Sequence, residues 1–391
     1  MTRVLVTDGD ERAGLATTRA LARNGYDVIV CASRRPSLAG SSSECIGEVP
    51  VGDPLTTPDA YVASVARAVR QFGIRVIMPI TEASLVALLP HRDRLSPAVV
   101  PWPALERFEA ISDKVKVTAA AQDLGVPVPE SLNLAGPDDR SAIDRAGRDL
   151  GWPVIAKPHR SVVGQPDARW KTRIALAASG QELRDVVSSM PAGAFPLLLQ
   201  RRVEGPGIGV FLFRSRGRTL ATFAHRRIRE KPPSGGVSVL RESIQPNPDL
   251  VKDSERLLDA FDWDGVAMVE YKLNTATGTP VLMEVNARLW GSLQLAIDAG
   301  IDFPTLMVRL ALGLGCPSRQ SYKVGVRTRW MLGDLDHLLI QIRSGGGWTH
   351  VRRFLEGFGP GIHQEVFAWR DPVPWLLEVG DWLRPFLRII P

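Results

Sequence analysis

The chain has 391 residues, 45% of them apolar, and a formal net charge of +6 at pH 7, which are the proportions of a folded globular protein and exclude intrinsic disorder. Its length exceeds what one ordinary core supports and predicts two or three domains. Its three cysteines, Cys31, Cys45 and Cys316, have no paired spacing, which excludes a zinc or redox motif and a disulfide framework and fits a reducing cytoplasm. The opening MTRVLVTDGDERAG reaches charge too early for a signal peptide, and no run approaches the ~20 apolar residues that span a bilayer. A soluble, at most peripheral, cytoplasmic protein is expected. The mildly basic balance suits phosphorylated small molecules, nucleic acid or anionic lipid, with solubility as the plain alternative. Eight lysines stand against forty arginines, so each lysine carries slightly more information than usual.

RVLVTDGDERAGLATTRALARNGYDVIVCAS reads as strand, turn, amphipathic helix and strand, and AYVASVARAVRQFGIRVIMPITEASLVAL repeats the pattern. This predicts a doubly wound α/β domain with a parallel sheet over about the first 110 residues. Its first turn, Asp8-Gly9-Asp10 with the next glycine at Gly14, lacks GxGxxG and places acids where a pyrophosphate would sit. A dinucleotide-dependent oxidoreductase is rejected on that ground. ISDKVKVTAAAQDLGVPVPES predicts a helix capped by Ser112 or Asp113 and ended at Gly125. GWPVIAKPHR is a short strand bearing Lys157, and strands dominate from there to about Ser243. DLVKDSERLLDAFDWDG is helical, and VAMVEYKLN and PVLMEVNAR form a hairpin around TATGT. The chain thus switches from α/β to α+β near residue 113. The part from about Tyr322 is rich in Trp, Arg, Gly and Pro and has no clear pattern.

The hairpin carries the clearest chemical signal. Side chains alternate along a strand, so Glu284, Asn286 and Arg288 share one face of PVLMEVNAR, while Val285, Ala287 and Leu289 share the other. Glu270 lies fourteen residues before Glu284, and antiparallel pairing lets all three oxygen-bearing side chains converge. Such hard donors suit Mg²⁺ or Mn²⁺, which would remove the repulsion between two facing carboxylates. A solvent-facing polar strand is the competing reading of the hairpin alone. Lys114, at a helix start, and Lys157, on a strand, are point charges that suit phosphate oxygens, although each alone reads as a surface lysine. LLLQRRVEGPG runs from a buried strand into a Gly-Pro turn that ends near Glu204. Such a junction offers backbone groups to a base and a carboxylate to a ribose.

Together and in this order, these motifs resemble the ATP-grasp superfamily, which includes biotin carboxylase, carbamoyl-phosphate synthetase, D-alanine ligases and many carboxylate-amine ligases. The resemblance covers most of the chain. It implies an N-terminal domain over 1–111 and an ATP-grasp domain over 112–320. Within the latter, 112–200 includes the small lid subdomain and 201–320 the hinge and metal-binding subdomain. Residues 321–391 form a C-terminal extension. The resemblance also implies that Lys114 and Lys157 contact nucleotide phosphates, that Gln200, Arg201 and Val203 hold the base with Glu204 near the sugar, and that Glu270, Glu284 and Asn286 bind Mg²⁺ (or Mn²⁺). Arg288 takes the place beside the transferred phosphate. Two departures stand out: the lid loop PHRSVVGQPDARWKT has one glycine, Gly164, and the hinge is followed by GPGIGV where an acid is common.

The implied activity is Mg²⁺- and ATP-dependent activation of a small-molecule carboxylate as an acyl phosphate, followed by attack of an amine, with no protein nucleophile. The alternatives are a bicarbonate-using carboxylase-type enzyme and a non-catalytic nucleotide sensor. Substrate recognition is expected in FAHRRIREKPPSGGVSVLRES, where His225 and Arg227 share a face opposite Arg226 and a Gly-Gly loop permits close approach of a ligand. The plain reading is a solvated basic edge. Glu82 lies just beyond a strand end, where open α/β sheets bind ligands, and equally suits a helix N-terminus. In the tail, Trp375, Leu376, Val379, Trp382, Leu383 and Phe386 follow helical spacing until Pro385. That helix is expected to dock on the protein's own core, with weak membrane-surface contact as the minor alternative. No nucleic-acid partner is expected, and nothing specifies the oligomeric state.

Overall fold

The computed structural model describes residues 1–165, 168–316, 321–345 and 347–387. The N-terminal region alternates β1 (Arg3–Val6), α1 (Arg12–Arg23), β2 (Asp27–Ala32), β3 (Gly47–Pro50), α2 (Pro58–Phe72), β4 (Val76–Met78), α3 (Glu82–Leu88) and α4 (Leu105–Ser112). Its sheet runs β3-β2-β1-β4, with every pairing parallel; helices make the crossovers elsewhere, and a loop over 33–46 makes the one from β2 to β3. The strand β3, from the polar stretch GEVP, has no hydrophobic signature and joins only as an edge. A further helix, α5 (Lys114–Asp123), opens on Asp113, whose carboxylate accepts from the Val115 and Lys116 amides at 3.0 and 3.2 Å. Of the two candidate caps, the carboxylate one is used, an interaction worth about 1 kcal/mol.

Next come β5 (Ser131–Leu134), α6 (Arg140–Leu150), β6 (Val154–Pro158), β7 (Val162–Gln165), β8 (Ala168–Lys171), β9 (Ala175–Ala177), α7 (Gly180–Ser189) and β10 (Leu197–Arg201). Strands β5-β10-β6-β9 make a small antiparallel sheet, and β7-β8 is a separate hairpin. α7 interrupts a segment that reads as strand-dominated. Its signal is local: Ser179 accepts from the Glu182 amide at 3.2 Å, while the Glu182 carboxylate accepts from the Ala178 amide at 2.8 Å, a reciprocal arrangement like the S-x-x-E capping box.

The largest sheet contains β11 (Gly207–Ser215), β12 (Arg218–Lys231) and β13 (Val237–Ser243). After α8 (Pro248–Ala260) it takes in β14 (Gly265–Leu273) and β15 (Pro280–Asn286). Following α9 (Leu293–Ala299) and α10 (Phe303–Ala311), the chain adds β16 (Arg327–Arg329), α11 (Met331–Arg343), α12 (Trp348–Glu356), β17 (Ile362–Gln364) and α13 (Val373–Leu387). The sheet order β15-β14-β11-β12-β13-β16-β17 shows that the unpatterned C-terminal stretch supplies two strands of the same sheet. One hydrophobic core joins this sheet to the N-terminal domain; the small sheet has its own. Among the described residues no helix is long and apolar enough to cross a membrane.

The tail helix α13 runs through Pro385 to Leu387, past the point where the proline was expected to disturb it. It docks through tryptophans. Trp375 packs edge-on against Phe367 with centroids 5.5 Å apart, Trp382 donates to Asp336 at 2.9 Å, and Trp330 donates to Glu378 at 2.8 Å. Leu376 and Leu383 stay exposed; the Phe386 side chain lies outside the described residues. Burial pushes the Glu378 carboxyl up to about 7, against the Trp330 hydrogen bond and nearby Arg12. Its folded-state value is thus above the unfolded one, so folding takes up a proton between those values and stability falls as pH rises through that interval. Glu378→Gln is expected to remove this slope and to stabilise the protein near about pH 8 by at most ~3 kcal/mol. Urea unfolding on both sides of the interval checks this; an unchanged slope in the variant assigns the pH dependence elsewhere.

Candidate functional site

A cleft of about 720 Å³ opens between the small sheet and the front face of the large one. Strand alternation, broken by irregular register in β12–β13 and β14–β15, selects its lining. On β14 the residues Met268, Glu270 and Lys272 face it; on β15 Glu284 and Asn286 do; on β12 and β13 His225, Arg227, Ser238 and Arg241 do. From the small sheet come Ile155 and Lys157 of β6 and Ala175 and Leu176 of β9.

Glu270 and Glu284 are direct cross-strand partners, and Asn286 pairs with Met268. The bulge between Glu270 and Tyr271 turns Met283 into the same cleft without changing the face of the two acids. Glu270 is buried and Glu284 half-buried, and the two respond oppositely. Burial raises the Glu270 carboxyl, only partly countered by Arg227, whose guanidinium lies 2.5 Å away. Burial also pushes Glu284 upward, but Lys114, Lys157 and the Asn286 hydrogen bond outweigh it and hold Glu284 below the usual range. That bond runs from Asn286 Nδ2 to Glu284 Oε1 at 2.9 Å. Two adjacent acids thus split their proton affinities, the usual result of like charges at close range.

Among the described residues no group of three or more His, Cys, Asp or Glu side chains gathers as a metal site. The donors available to a cation are therefore two carboxylates and the Asn286 amide oxygen, all hard. That set fits Mg²⁺ or Mn²⁺, which typically complete their shell with water and phosphate oxygens.

The cations come from four directions. Lys157 is 5% exposed; burial lowers its pKa while Glu284 opposes that. Lys114 starts α5, its ammonium 3.2 Å from Ser161 Oγ, and its amide donates to the His159 carbonyl at 2.7 Å. Arg288 bonds the Asn286 Oδ1 at 3.3 Å and the Leu289 carbonyl at 2.9 Å. Arg288, Lys114, Glu284 and Glu82 line one small adjoining space. Glu82, at the start of α3, thus brings the N-terminal domain to the site. Arg227 completes the set, and burial is more than balanced there by Glu270 and Glu230.

His225 is fully enclosed. Its ring meets Phe211 edge-on at 4.8 Å, neither ring nitrogen has a hydrogen-bond partner, and burial together with Arg227 and Arg241 drives its pKa well below the ordinary value. It is therefore neutral near pH 7. The GPGIGV run makes this packing possible: a Cβ at Gly209 would lie 2.8 Å from the Phe211 ring and 2.9 Å from His225, and one at Gly207 would lie 2.7 Å from the Arg227 stem.

The hinge residues divide. Gln200 is buried in β10, donating to Ser131 at 3.1 Å. Arg201 pairs with Glu130 at 2.6 Å and does not line the cleft; its neighbour Arg202 does. The Val203 carbonyl accepts from Lys272 at 3.3 Å, and exposed Glu204 lies 3.6 Å from Arg202. No described residue of the loop 158–172 lines the cleft. Its charges go elsewhere, Arg160 to Glu109 at 3.1 Å and Lys171 to a crevice beside Asp8, Asp10 and Asp53.

Sequence reasoning missed Lys272, Arg241 and Trp290. Lys272 stands two positions after Glu270, so the alternation that selects Glu284 and Asn286 also selects it. Arg241 has no local signal, because its partner Glu365, 2.6 Å away, comes from the C-terminal segment.

The model of a family described as "ATP-grasp in the biosynthetic pathway with Ter operon" matches residues 194–333. No functionally curated protein sequence matches the chain. Among solved structures it is similar to an L-amino acid ligase from Bacillus licheniformis, at 18% identity and TM-score 0.59 over 80% of this chain and 74% of that one. It is also similar to the biotin carboxylase domain of the Hydrogenobacter thermophilus 2-oxoglutarate carboxylase, in complex with MgADP, ADP and bicarbonate, at 14% identity and TM-score 0.63 over 83% and 73%. A third is the N5-carboxyaminoimidazole ribonucleotide synthetase of Thermus thermophilus, at 18% identity and TM-score 0.58 over 81% and 79%. Identities this low speak for the fold, and the matched segment contains β10 to β16, where the paired acids lie. The chain carries an ATP-grasp domain and has the ATP-grasp fold.

Proposed function

We propose that the protein is an ATP-dependent carboxylate-amine ligase whose reaction takes place in the cleft between the two sheets. The observation that carries this reading is the pairing of Glu270 with Glu284 in a cleft that also gathers Lys157, Arg227, Lys272 and Arg288. Anionic donors and cations in one desolvated space suit a polyphosphate with its counter-ion. The likeness to an L-amino acid ligase fold points the same way.

ATP lies with its base in the apolar slot of Ile155, Leu176 and Met283 and its phosphates toward Lys157 and Lys114. Arg202, rather than Arg201, reaches the nucleotide from the hinge, while Gln200 and Val203 are buried and do not line the cleft. Glu270, Glu284 and Asn286 would hold Mg²⁺ or Mn²⁺, which would supply neutralisation of phosphate charge. A carboxylate oxygen of the substrate attacks the γ-phosphorus, the bond to the β,γ-bridging oxygen breaks, and ADP leaves with that electron pair. Arg288 offsets charge on the transferred group. The amine nitrogen then attacks the acyl carbon and expels phosphate. Arg227 pairs with Glu270 and offsets part of its charge, and His225, neutral and enclosed, packs behind the substrate end, so the amine enters as the free base.

Release of ADP and phosphate from ATP is expected only when an acyl substrate and an amine are both supplied, and a panel of amino acids and short peptides tests this. ATP binding with no turnover across the panel would instead indicate a nucleotide sensor, and turnover with bicarbonate and no amine a carboxylase-type enzyme. Glu284→Gln is expected to lower kcat by about a hundredfold or more. Arg202→Ala should raise the KM for ATP about tenfold through loss of one charge-assisted contact, while Arg201→Ala leaves it unchanged. Equal effects of the two arginine variants would overturn the hinge assignment.

A further inference from the structure

The large sheet has a second cavity on its rear face, of about 620 Å³, roofed by α11 and α12. The alternation that sends His225 and Arg227 forward sends Arg226 backward, and after the irregular register at 227–230 Arg229 lies opposite Leu240 on that rear face. We propose that this cavity binds a small organic anion, a carboxylate or phosphate carried on an apolar body.

Charge is the first argument. Arg226 and Arg327 share the single carboxylate of Glu242, at 2.5 and 2.8 Å. Arg229 and Arg329 share the single carboxylate of Asp334, at 2.8 and 2.6 Å. Each trio keeps one uncompensated positive charge. Arg353 adds a third: among the described residues its guanidinium has no acidic partner, only its carbonyl being used, by Arg229 at 2.7 Å. The one acid of α12 at the cavity, Glu356, is taken by Arg352 at 3.3 Å. Guanidinium groups gathered in a concave, partly desolvated space repel one another unless an anion joins them, and Arg229 Nε is buried without an acceptor.

Shape is the second argument. The volume is that of a small-molecule pocket, and Leu240, Leu338, Phe354 and Ile362 give it an apolar side, the usual combination of an apolar wall and a few convergent polar groups. The wall is braced, because Arg329 stacks on Phe354 and Phe358 at 4.3 Å from each ring. A flat basic surface would suit nucleic acid; a roofed cavity suits a compact ligand. Arg227 lines both cavities, so the two are separated by little more than strand β12.

Calorimetric titration of the full chain, with the front cleft saturated by Mg·ADP, tests the proposal using phenyl phosphate, benzoate and inorganic phosphate as probes. Phenyl phosphate or benzoate is expected to bind saturably with one site per chain. Arg353→Glu, at an exposed position, and Arg226→Ala are each expected to weaken that binding about tenfold or more, while Mg·ADP affinity and thermal unfolding stay as in the parent. Inorganic phosphate is expected to bind more weakly than phenyl phosphate, and equal affinity would overturn the apolar-body part. Absence of saturable binding at millimolar concentrations, or binding unaffected by both variants, overturns the site altogether.

Discussion

Two carboxylates placed side by side on the cleft face of a sheet are the constraint around which this molecule is arranged. Glu270 and Glu284 face each other across β14 and β15; left alone, they would repel and one would take up a proton. Arg227 from β12, Lys157 from the small sheet and Lys114 from the start of α5 oppose this, holding Glu284 low while Glu270 stays raised, and each arrives on a separate element. The cleft is therefore an electrostatic assembly, and the small sheet, the large sheet and the linker helix are held at it by the same charges.

The C-terminal segment is drawn into that assembly. Glu365 directly follows β17 and sits between Arg12 of the N-terminal domain and Arg241 of the cleft wall. Arg12 in turn lies over the Trp330 ring, 3.8 Å from its centroid, and Trp330 is the residue that fastens α13 through Glu378. A stretch without periodicity thus becomes the brace between the first helix and the back of the cleft. Breaking any one member would leave a buried charge without its partner, which is costlier than the pair is stabilising.

Strand β12 gives the molecule two faces of different character. The forward face presents an enclosed neutral imidazole and Arg227; the rearward face presents arginines that outnumber their acids. Glycine at 207 and 209 admits the forward side chains, and the register irregularities near 227–230 re-aim the residues that follow. One strand thereby walls two cavities.

Much of this was legible in the amino-acid sequence, because it depends on local periodicity. Alternation placed Glu284 with Asn286 and His225 with Arg227, apolar runs and turns located the parallel N-terminal sheet and the hairpin, and Ser112-Asp113 marked the start of a helix without choosing between the two caps. The SGQE start of α7 was equally local, though easily lost among strands. Tertiary structure alone decided the rest, because it rests on contacts between residues far apart in the chain. Neighbouring arginines 201 and 202 look alike in sequence, and only packing sends one to Glu130 and the other to the cleft. The lid loop's charges go to the N-terminal domain because that surface lies against it. The pairing of Arg241 with Glu365 spans the C-terminal half of the molecule, and no pattern of spacing encodes a partner whose position is set by the closing of the sheet.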